Sequence, residues 1–136
     1  MDQPLGAKRT PYAWYVRVPD IAKLVTHLTP LIENRLARSE FRGWTGDVKI
    51  SFFTDGINLS FESGKLKSVA PTGMIENTEA AAGYPGLTFL KALFAQHSFS
   101  ELRSMYPDCF TKNHAMMNMQ DILWGGSLSS AVLPAG

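Results

Sequence analysis

The feature that most constrains the fold is a stretch in which the hydrophobic period is two. Apolar and polar residues alternate in two runs, from Val48 to Phe52 and from Ile57 to Phe61, which is the pattern of half-buried strands. Asp55-Gly56 and Ser63-Gly64 are hairpin turn signals, and the second leads into a third short strand, Lys65 to Val69. The stretch therefore predicts an antiparallel meander of three strands with one apolar face.

An apolar stripe at three- and four-residue spacing precedes the meander and predicts a long amphipathic helix. The stripe consists of Ile21, Leu24, Val25, Leu28, Leu31, Ile32 and Leu36. Pro19 and Asp20 suit the helix start, because proline lacks a donor that is not needed there and a carboxylate favours the positive helix end. Pro30 lies within the stripe and removes one backbone donor, so we expect a kink or a break there.

The stretch that follows the meander, Pro71 to Gly86, is rich in glycine and alanine and has no clear period. We expect a loop there and one more short strand near Ala80 to Tyr84. Helical spacing then returns and predicts a further helix. The apolar positions of this helix are Leu87, Leu90, Leu93 and Phe94.

Two more helices are predicted near the end of the chain. Ser98 and Glu101 have the spacing of a capping box, which indicates a helix that starts there and runs through Met105. The last helix is expected to begin just after Thr111, which serves as its cap, and to end at Gly125-Gly126. Its apolar positions are Ala115, Met116, Met119, Ile122 and Leu123.

These patterns predict one α+β domain with a mostly antiparallel sheet, made of the meander and one or more irregular strands, that helices cover on one face. The length of 136 residues suits one hydrophobic core. Residues 12–126 carry the regular patterns and form the expected domain. Residues 1–11 are expected to be a flexible tail or a linker stub, and residues 127–136 a C-terminal arm.

Composition narrows the classes of function. A content of 45% hydrophobic and 18% charged residues supports a packed core, and the net charge of +1 gives no basic field for nucleic acid. Cys109 is the only cysteine, so no internal disulfide forms, and a cytoplasmic location is expected. No stretch approaches the roughly 18 apolar residues of a transmembrane helix.

Residue types that bind metals do not occur at converging spacings. His27, His97, His114 and Cys109 form neither an H-x-x-x-H nor a C-x-x-C pair, so we expect no metal site and no cofactor. His27 lies on a predicted helix, and His97 lies near a helix end, where it meets carbonyl groups. Cys109 is expected to be a small buried hydrophobic residue.

Catalytic motifs are also missing from the sequence. There is no G-x-S-x-G elbow, P-loop or G-x-G-x-x-G before a helix, and the glycines coincide with turns. Four aspartates have plainer roles at strand ends, turns or helix surfaces. They are Asp47, Asp55, Asp108 and Asp121. We therefore expect no catalytic residue, and no enzyme activity of the chain on its own.

An apolar layer is the strongest candidate for a binding site. Sheet residues Phe52, Leu59 and Phe61 are expected to meet helix residues Leu90, Phe94, Met116 and Met119. Flexible methionine side chains tolerate a variable guest in such a layer, whereas an ordinary packed core uses the same residues without any guest. Both interpretations stay open at this point.

Several short motifs occur in an order that is similar to a known family. They are Trp14-Tyr15-Val16-Arg17 with Asp20, Thr45-Gly46-Asp47, the run from Gly56 to Gly64 centred on Phe61, Leu87-Thr88-Phe89-Leu90 with Leu93-Phe94, Glu101-Leu102 and Pro107-Asp108. The chain resembles the sterol carrier protein 2 fold over Tyr12 to Trp124. More specifically, it resembles the version found at the C-terminus of bacterial GNAT-family N-acetyltransferases of the Eis group.

This resemblance implies a module that packs against an acetyltransferase lobe, in the same or another chain. Such a module helps to shape the substrate pocket or the oligomer and transfers no acetyl group alone. Nothing here resembles the pyrophosphate-binding loop that holds acetyl-CoA. The stretch from Ile122 to Gly126 departs from the closing pattern of that family, and an arm continues to Gly136. The terminal carboxylate is therefore given no catalytic role.

Two other functions stay open. The wider fold family has a ligand tunnel, so the alternative is a carrier of an apolar molecule, such as a fatty acyl chain or a sterol-like lipid, in the layer between sheet and helices. An independent small enzyme would require Asp47, Asp108 or a histidine to lie in a polar cleft with a strongly shifted pKa.

Overall fold

A computed structural model describes residues 18–85, 88–94 and 97–124. The elements are α1 (Val18–His27), α2 (Thr29–Ala37), β1 (Gly46–Ser51), β2 (Gly56–Glu62), β3 (Lys65–Thr72), β4 (Ala82–Gly83), α3 (Thr88–Phe94), α4 (Phe99–Met105), β5 (Phe110–Thr111) and α5 (His114–Trp124). The expected tail, C-terminal arm, Leu87 and Gly125-Gly126 lie outside the described residues.

The strands form one mixed sheet in the order β3-β2-β1-β4-β5. β1 pairs parallel with β4, and the other neighbouring pairs are antiparallel. The prediction of an α+β fold with a mostly antiparallel sheet is confirmed at this level of detail.

The predicted break in the first helix is confirmed. α1 ends at His27, and α2 begins at Thr29 with Pro30 in its first turn, where a missing backbone donor costs nothing. Leu28 joins the two helices: its N–H donates to Val25 (3.0 Å) and its carbonyl accepts from Ile32 (2.9 Å). The apolar stripe therefore continues across the break.

The meander is confirmed, with one apolar face. Val48 pairs with Leu59, and Ile50 pairs with Ile57, and all four side chains are fully buried. Glu62 pairs directly with Lys65, so Ser63-Gly64 forms a two-residue turn, with φ of 51° and 80°. Positive φ at both positions matches the twist of the flanking strands.

The first turn of the meander differs from the expected one. Ser51 pairs with Gly56, so four residues separate the strands and Gly56 belongs to β2. The N–H of Phe52 donates to the carbonyl of Asp55 (2.7 Å), and Phe53 adopts a φ of 75° that bulky side chains rarely take. A Cβ on Gly56 would lie 2.4 Å from the carbonyl oxygen of Ile50. A glycine is therefore required here, because β1 and β2 approach each other too closely for a side chain.

The short strands lie beside the meander. β4 falls within the stretch predicted for it, whereas β5 was not predicted, since two residues show no period. β5 includes Thr111, which corrects the predicted cap of the last helix. Asn113 caps α5 instead, because its Oδ1 accepts from the N–H of Met116 (2.9 Å).

The described helices cover the apolar face of the sheet. α1 packs on β3 and β2, α2 contacts β3 and α5, and α5 contacts β4 and β5. Helix α4 begins with the predicted capping box: Ser98 Oγ accepts from the Glu101 N–H, and the Glu101 carboxylate accepts from the Ser98 N–H. No helix in the described ranges is long and apolar enough to cross a membrane.

The edge strand β3 is blocked against pairing with other strands. A carboxylate oxygen of Glu33, on α2, accepts from the N–H of Leu66 (2.8 Å) and lies near Lys65 (3.8 Å from Oε1 to Nζ). The register between β2 and β3 shifts next to Phe61, which makes Lys67 a bulged residue. Pro71 has no backbone N–H that could donate to another strand. These are the usual protections of a sheet edge, and an edge position also explains why β3 runs through Pro71 to Thr72.

The loop before β1 is joined to the second turn of the meander. The N–H of Gly64 donates to the carbonyl of Trp44 (3.0 Å), and the N–H of Ser63 donates to Thr45 Oγ1 (2.9 Å). A Cβ on Gly64 would meet the backbone nitrogen of Gly43 at 3.2 Å. The two loops therefore pack backbone against backbone.

We expect Glu33→Ala to lower the free energy of unfolding by about 1.5–3 kcal/mol, because it leaves a strand N–H without its charged acceptor. Urea unfolding measures the change. Lys65→Ala is the matched control, since its side chain is 69% exposed and such ion pairs contribute about 0–1 kcal/mol. An equal loss in both variants would contradict a role for the backbone hydrogen bond.

Candidate functional site

Six of the seven predicted apolar residues belong to the hydrophobic core or pack against it. Phe52, Leu59, Phe61 and Met119 are buried in the core, Leu90 and Met116 are partly buried against it, and the side chain of Phe94 lies outside the described part. Phe61 pairs with Gly46 at the start of β1, whereas Phe52 directly follows its end. The two phenylalanines are thus separated by six residues of extended chain, roughly 20 Å.

The structure places a buried polar centre, formed by Tyr84, Gln120 and Trp124, inside the apolar core. Tyr84 directly follows β4, and Gln120 and Trp124 lie one turn apart on α5. The Tyr84 hydroxyl and the Trp124 indole N–H both donate to Gln120 Oε1, each at 2.8 Å. Gln120 is only 1% exposed, and its Nε2 has no hydrogen-bond partner among the described residues.

The orientation of the Gln120 amide follows from its neighbours. An indole N–H donates and never accepts, so the atom that faces Trp124 is the amide oxygen. The hydroxyl of Tyr84 then donates to the same oxygen. Both hydrogens of the amide nitrogen are consequently directed away from these partners.

Aromatic rings surround the polar centre. The ring of Phe89 lies 5.1 Å from Trp124, 5.2 Å from Tyr84 and 5.4 Å from Phe52, measured between centroids. Phe99 lies 5.6 Å from Tyr84. Most of these contacts are edge-to-face, which places positive ring edges against negative ring faces. Phe52, of the predicted set, therefore belongs to an aromatic cluster that joins β4, α3, α4 and α5.

Burial shifts the ionisation of two groups at this end of the core. Burial raises the pKa of the Tyr84 hydroxyl well above its usual value, with Cys109 and Asp121 adding to the shift. Burial likewise raises the pKa of the Cys109 thiol from 9.0 to about 11, and Asp108 contributes. Both groups stay protonated at neutral pH, so neither is an activated nucleophile there. Cys109 is buried, as predicted.

Two ionisable side chains hold the helices around the polar centre. Arg35, on α2, donates from Nε to the carbonyl of Ile122 (2.5 Å) and from Nη2 to that of Asp121 (3.4 Å). A cation at this position also suits the negative end of α5. The Asp121 carboxylate accepts from the N–H of Phe99 (2.7 Å), at the start of α4. α5 is thereby attached to both α2 and α4.

Three other ionisable residues singled out from the sequence, Asp47, Asp55 and His97, have local surroundings that the structure describes. Asp47 accepts from the Ser60 hydroxyl (2.9 Å), and Asp55 lies in the first turn of the meander. His97 lies 3.7 Å from the Glu101 carboxylate, so its partner is the capping residue rather than the expected carbonyls. Within residues 18–85, 88–94 and 97–124, no three His, Cys, Asp or Glu side chains are placed to hold a metal ion.

The sheet face opposite the helices is mostly polar, with an apolar corner. Its β1 and β2 side chains include Asp47, Lys49, Asn58 and Ser60. At one corner, Phe53, Met74 and Ile75 line a surface depression of about 340 Å³ together with residues 76–78. Met74 is 68% exposed, whereas Phe53 is half-buried and Ile75 is buried. This corner is a candidate contact surface.

The polar centre was missed in the sequence, although a signal exists. Gln120 lies three residues before Leu123 and four after Met116, so it falls on the apolar stripe of the last helix. A polar residue on such a stripe is either exposed or hydrogen-bonded inside the core. Its indole partner at Trp124 is one helical turn away. Tyr84, by contrast, follows an irregular stretch and gives no local signal.

We expect Gln120→Met to lower the free energy of unfolding more than Tyr84→Phe does. The first change, measured by urea unfolding, leaves two buried donors without an acceptor and costs about 2–4 kcal/mol. The second removes one donor and costs about 0.5–1.5 kcal/mol. The side-chain volumes change little in either variant. Equal costs would show that the shared acceptor does not join Tyr84 to Trp124.

Stability is expected to fall above pH 9 because of Cys109. In the unfolded chain the thiol loses its proton near its ordinary pKa of 9.0, whereas the folded thiol keeps it to about 11. The unfolded state therefore binds fewer protons in this window and gains stability as the pH rises. From pH 8 to pH 10 the wild type should lose about 1 kcal/mol more than Cys109→Ala in urea unfolding. Identical losses would contradict a buried, protonated thiol.

Comparison with known proteins gives no match: no family model, no curated protein and no solved structure is similar to this chain. The family resemblance noted from the sequence stays a prediction. Its first motif, Trp14 to Arg17, lies outside the described residues.

Proposed function

We propose that the chain is a non-catalytic module of the sterol carrier protein 2-like type, which supports a GNAT-family N-acetyltransferase. It would do so as an accessory C-terminal domain or as a free-standing relative in the bacterial cytoplasm. Its role would be to help shape the substrate pocket or the oligomer. The motif order described above is the source of this proposal, and the surface of the domain adds support to it.

The observation that carries the proposal is the one-sided construction of the described domain. Helices cover the apolar sheet face, and the opposite face ends in the apolar corner of Phe53, Met74 and Ile75. Met74 is exposed at this corner, next to half-buried Phe53 and buried Ile75, and an apolar surface rimmed by polar residues is typical of a contact with another protein. Glu76 and Asn77 provide that rim. A supporting module requires such a contact surface and no reactive group.

The side chain of Phe53 adds to this argument. Its φ of 75° is strained for a bulky residue, and such strain is retained where the surroundings or a function require it. The centroid of its ring lies 6.0 Å from that of Phe110. The Phe110 ring covers Gly83, on the face of β4 that is turned away from the helices. The strained backbone thus presents an aromatic ring at the apolar corner instead of in the core.

The alternative, a carrier of an apolar ligand in the layer of Phe52, Leu59, Phe61, Leu90, Phe94, Met116 and Met119, has less support. A site for such a ligand needs roughly 300 Å³ of enclosed space. Leu59 and Met119 are fully buried within the packed core, and Phe52 is part of the aromatic cluster. Native mass spectrometry that detects a co-purified lipid would favour this alternative.

The proposal is tested by titrating the purified chain with a GNAT-type acetyltransferase lobe from the same genome, using isothermal calorimetry. We expect binding, and we expect Met74→Asp to weaken it by about tenfold or more, because the change places a charge in the apolar contact. Met105→Asp is the matched control: this methionine is 48% exposed but lies on α4, in the helical layer. It should leave the affinity unchanged.

Two outcomes would contradict the proposal. If the folded wild-type chain does not bind the acetyltransferase lobe, the lobe is not its partner. Equal weakening by Met74→Asp and Met105→Asp would show that the apolar corner is not the contact surface. Circular dichroism of each variant confirms that the fold is kept.

A further inference from the structure

The polar centre contains an unused hydrogen-bond donor, the amide nitrogen of Gln120. Gln120 is 1% exposed, and Nε2 has no partner in the described part of the chain, although two other polar groups meet at the oxygen of the same amide. Buried polar groups are almost always paired with protein or with ordered water. Because residues 18–85, 88–94 and 97–124 provide no acceptor for this donor, ordered water is the acceptor that this principle leaves for it.

The hydrogen bond from Trp124 identifies this atom as a donor, and a second unpaired group lacks such a partner. Asn58 also has a buried amide atom without a partner, Oδ1, while its Nδ2 lies 3.4 Å from Ser60 Oγ. A hydroxyl both donates and accepts, so Ser60 does not fix which way the Asn58 amide points. At Gln120 the indole of Trp124 only donates and fixes the oxygen. The free atom is then the nitrogen.

The surroundings restrict the size of the acceptor. Phe89 packs within 5.1–5.4 Å of Trp124, Tyr84 and Phe52, between ring centroids, and Tyr84 and Phe89 are each 1% exposed. Such packing favours a guest the size of one water molecule over an acyl chain. Protein interiors hold about one buried water per 27 residues, at polar groups that are otherwise unpaired.

We infer that Gln120 Nε2 binds a single buried water molecule, which completes the hydrogen bonding of the polar centre. The inference is independent of the proposed function, because it concerns the helical side of the sheet and not the apolar corner. The water accepts from the amide nitrogen and remains in place while Tyr84 and Trp124 hold the amide oxygen. Gln120 thus joins three parts: α5, the residue after β4 and the bound water.

Nuclear magnetic resonance of the wild-type chain tests this directly. We expect a cross-peak between the side-chain NH₂ of Gln120 and water in both NOESY and ROESY spectra, with the opposite signs that distinguish a bound water from proton exchange. Absence of the cross-peak in the folded protein overturns the inference. So does a cross-peak from the same NH₂ to a co-purified organic molecule that native mass spectrometry detects.

Magnetic relaxation dispersion of water oxygen-17 provides a second measurement, which counts long-lived internal waters. Gln120→Met should lose one such water relative to the wild type. Tyr84→Phe should keep the wild-type number, since it removes a donor to the amide oxygen and leaves the amide nitrogen unchanged. An unchanged count in folded Gln120→Met overturns the inference, and if that variant does not fold the wild-type cross-peak decides.

Discussion

The architecture depends on a sheet that is apolar on one face only. The alternation along β1 and β2 directs Val48, Ile50, Ile57 and Leu59 to the same side, and this side has to be removed from water. All helices whose packing the structure describes therefore share one layer. The break at Leu28 fits this requirement, because two short helices follow the twisted sheet more closely than one straight rod of the same length.

Within this apolar layer, one polar group organises the packing of the last helix. Hydrophobic contacts have no direction, so they specify only loosely how a helix is rotated about its axis and how far it is shifted along that axis. The Gln120 oxygen, which accepts from Tyr84 and Trp124, specifies both, and Arg35 and Asp121 add two further directional contacts. These interactions attach α5 to the end of β4 and to both neighbouring helices, and so they align two halves of the fold that come from distant parts of the sequence.

The sequence was most informative where structure is decided locally. The meander, the Ser63-Gly64 turn, the break at Pro30 and the capping box at Ser98 each depend on residues within one turn or one hairpin. The strand β5, the cap at Asn113 and the four-residue first turn depend on partners elsewhere in the fold, and two-residue strands have no period to detect. The candidate layer stays a prediction as a binding site: its residues belong to one core, in which the alternation places Phe52 and Phe61 on one face but at opposite ends of the strands. A glutamine on an apolar stripe was the missed signal.

The backbone contact between the loop before β1 and the second turn of the meander has an evolutionary consequence. Gly64 and Gly43 approach so closely that a side chain on Gly64 has no room unless the other loop moves. The hydrogen bonds from Ser63 and Gly64 to Thr45 and Trp44 would have to move with it. Insertions or larger residues in one loop are therefore tolerated only alongside a compensating change in the other, so the two segments should vary as a pair among homologous chains.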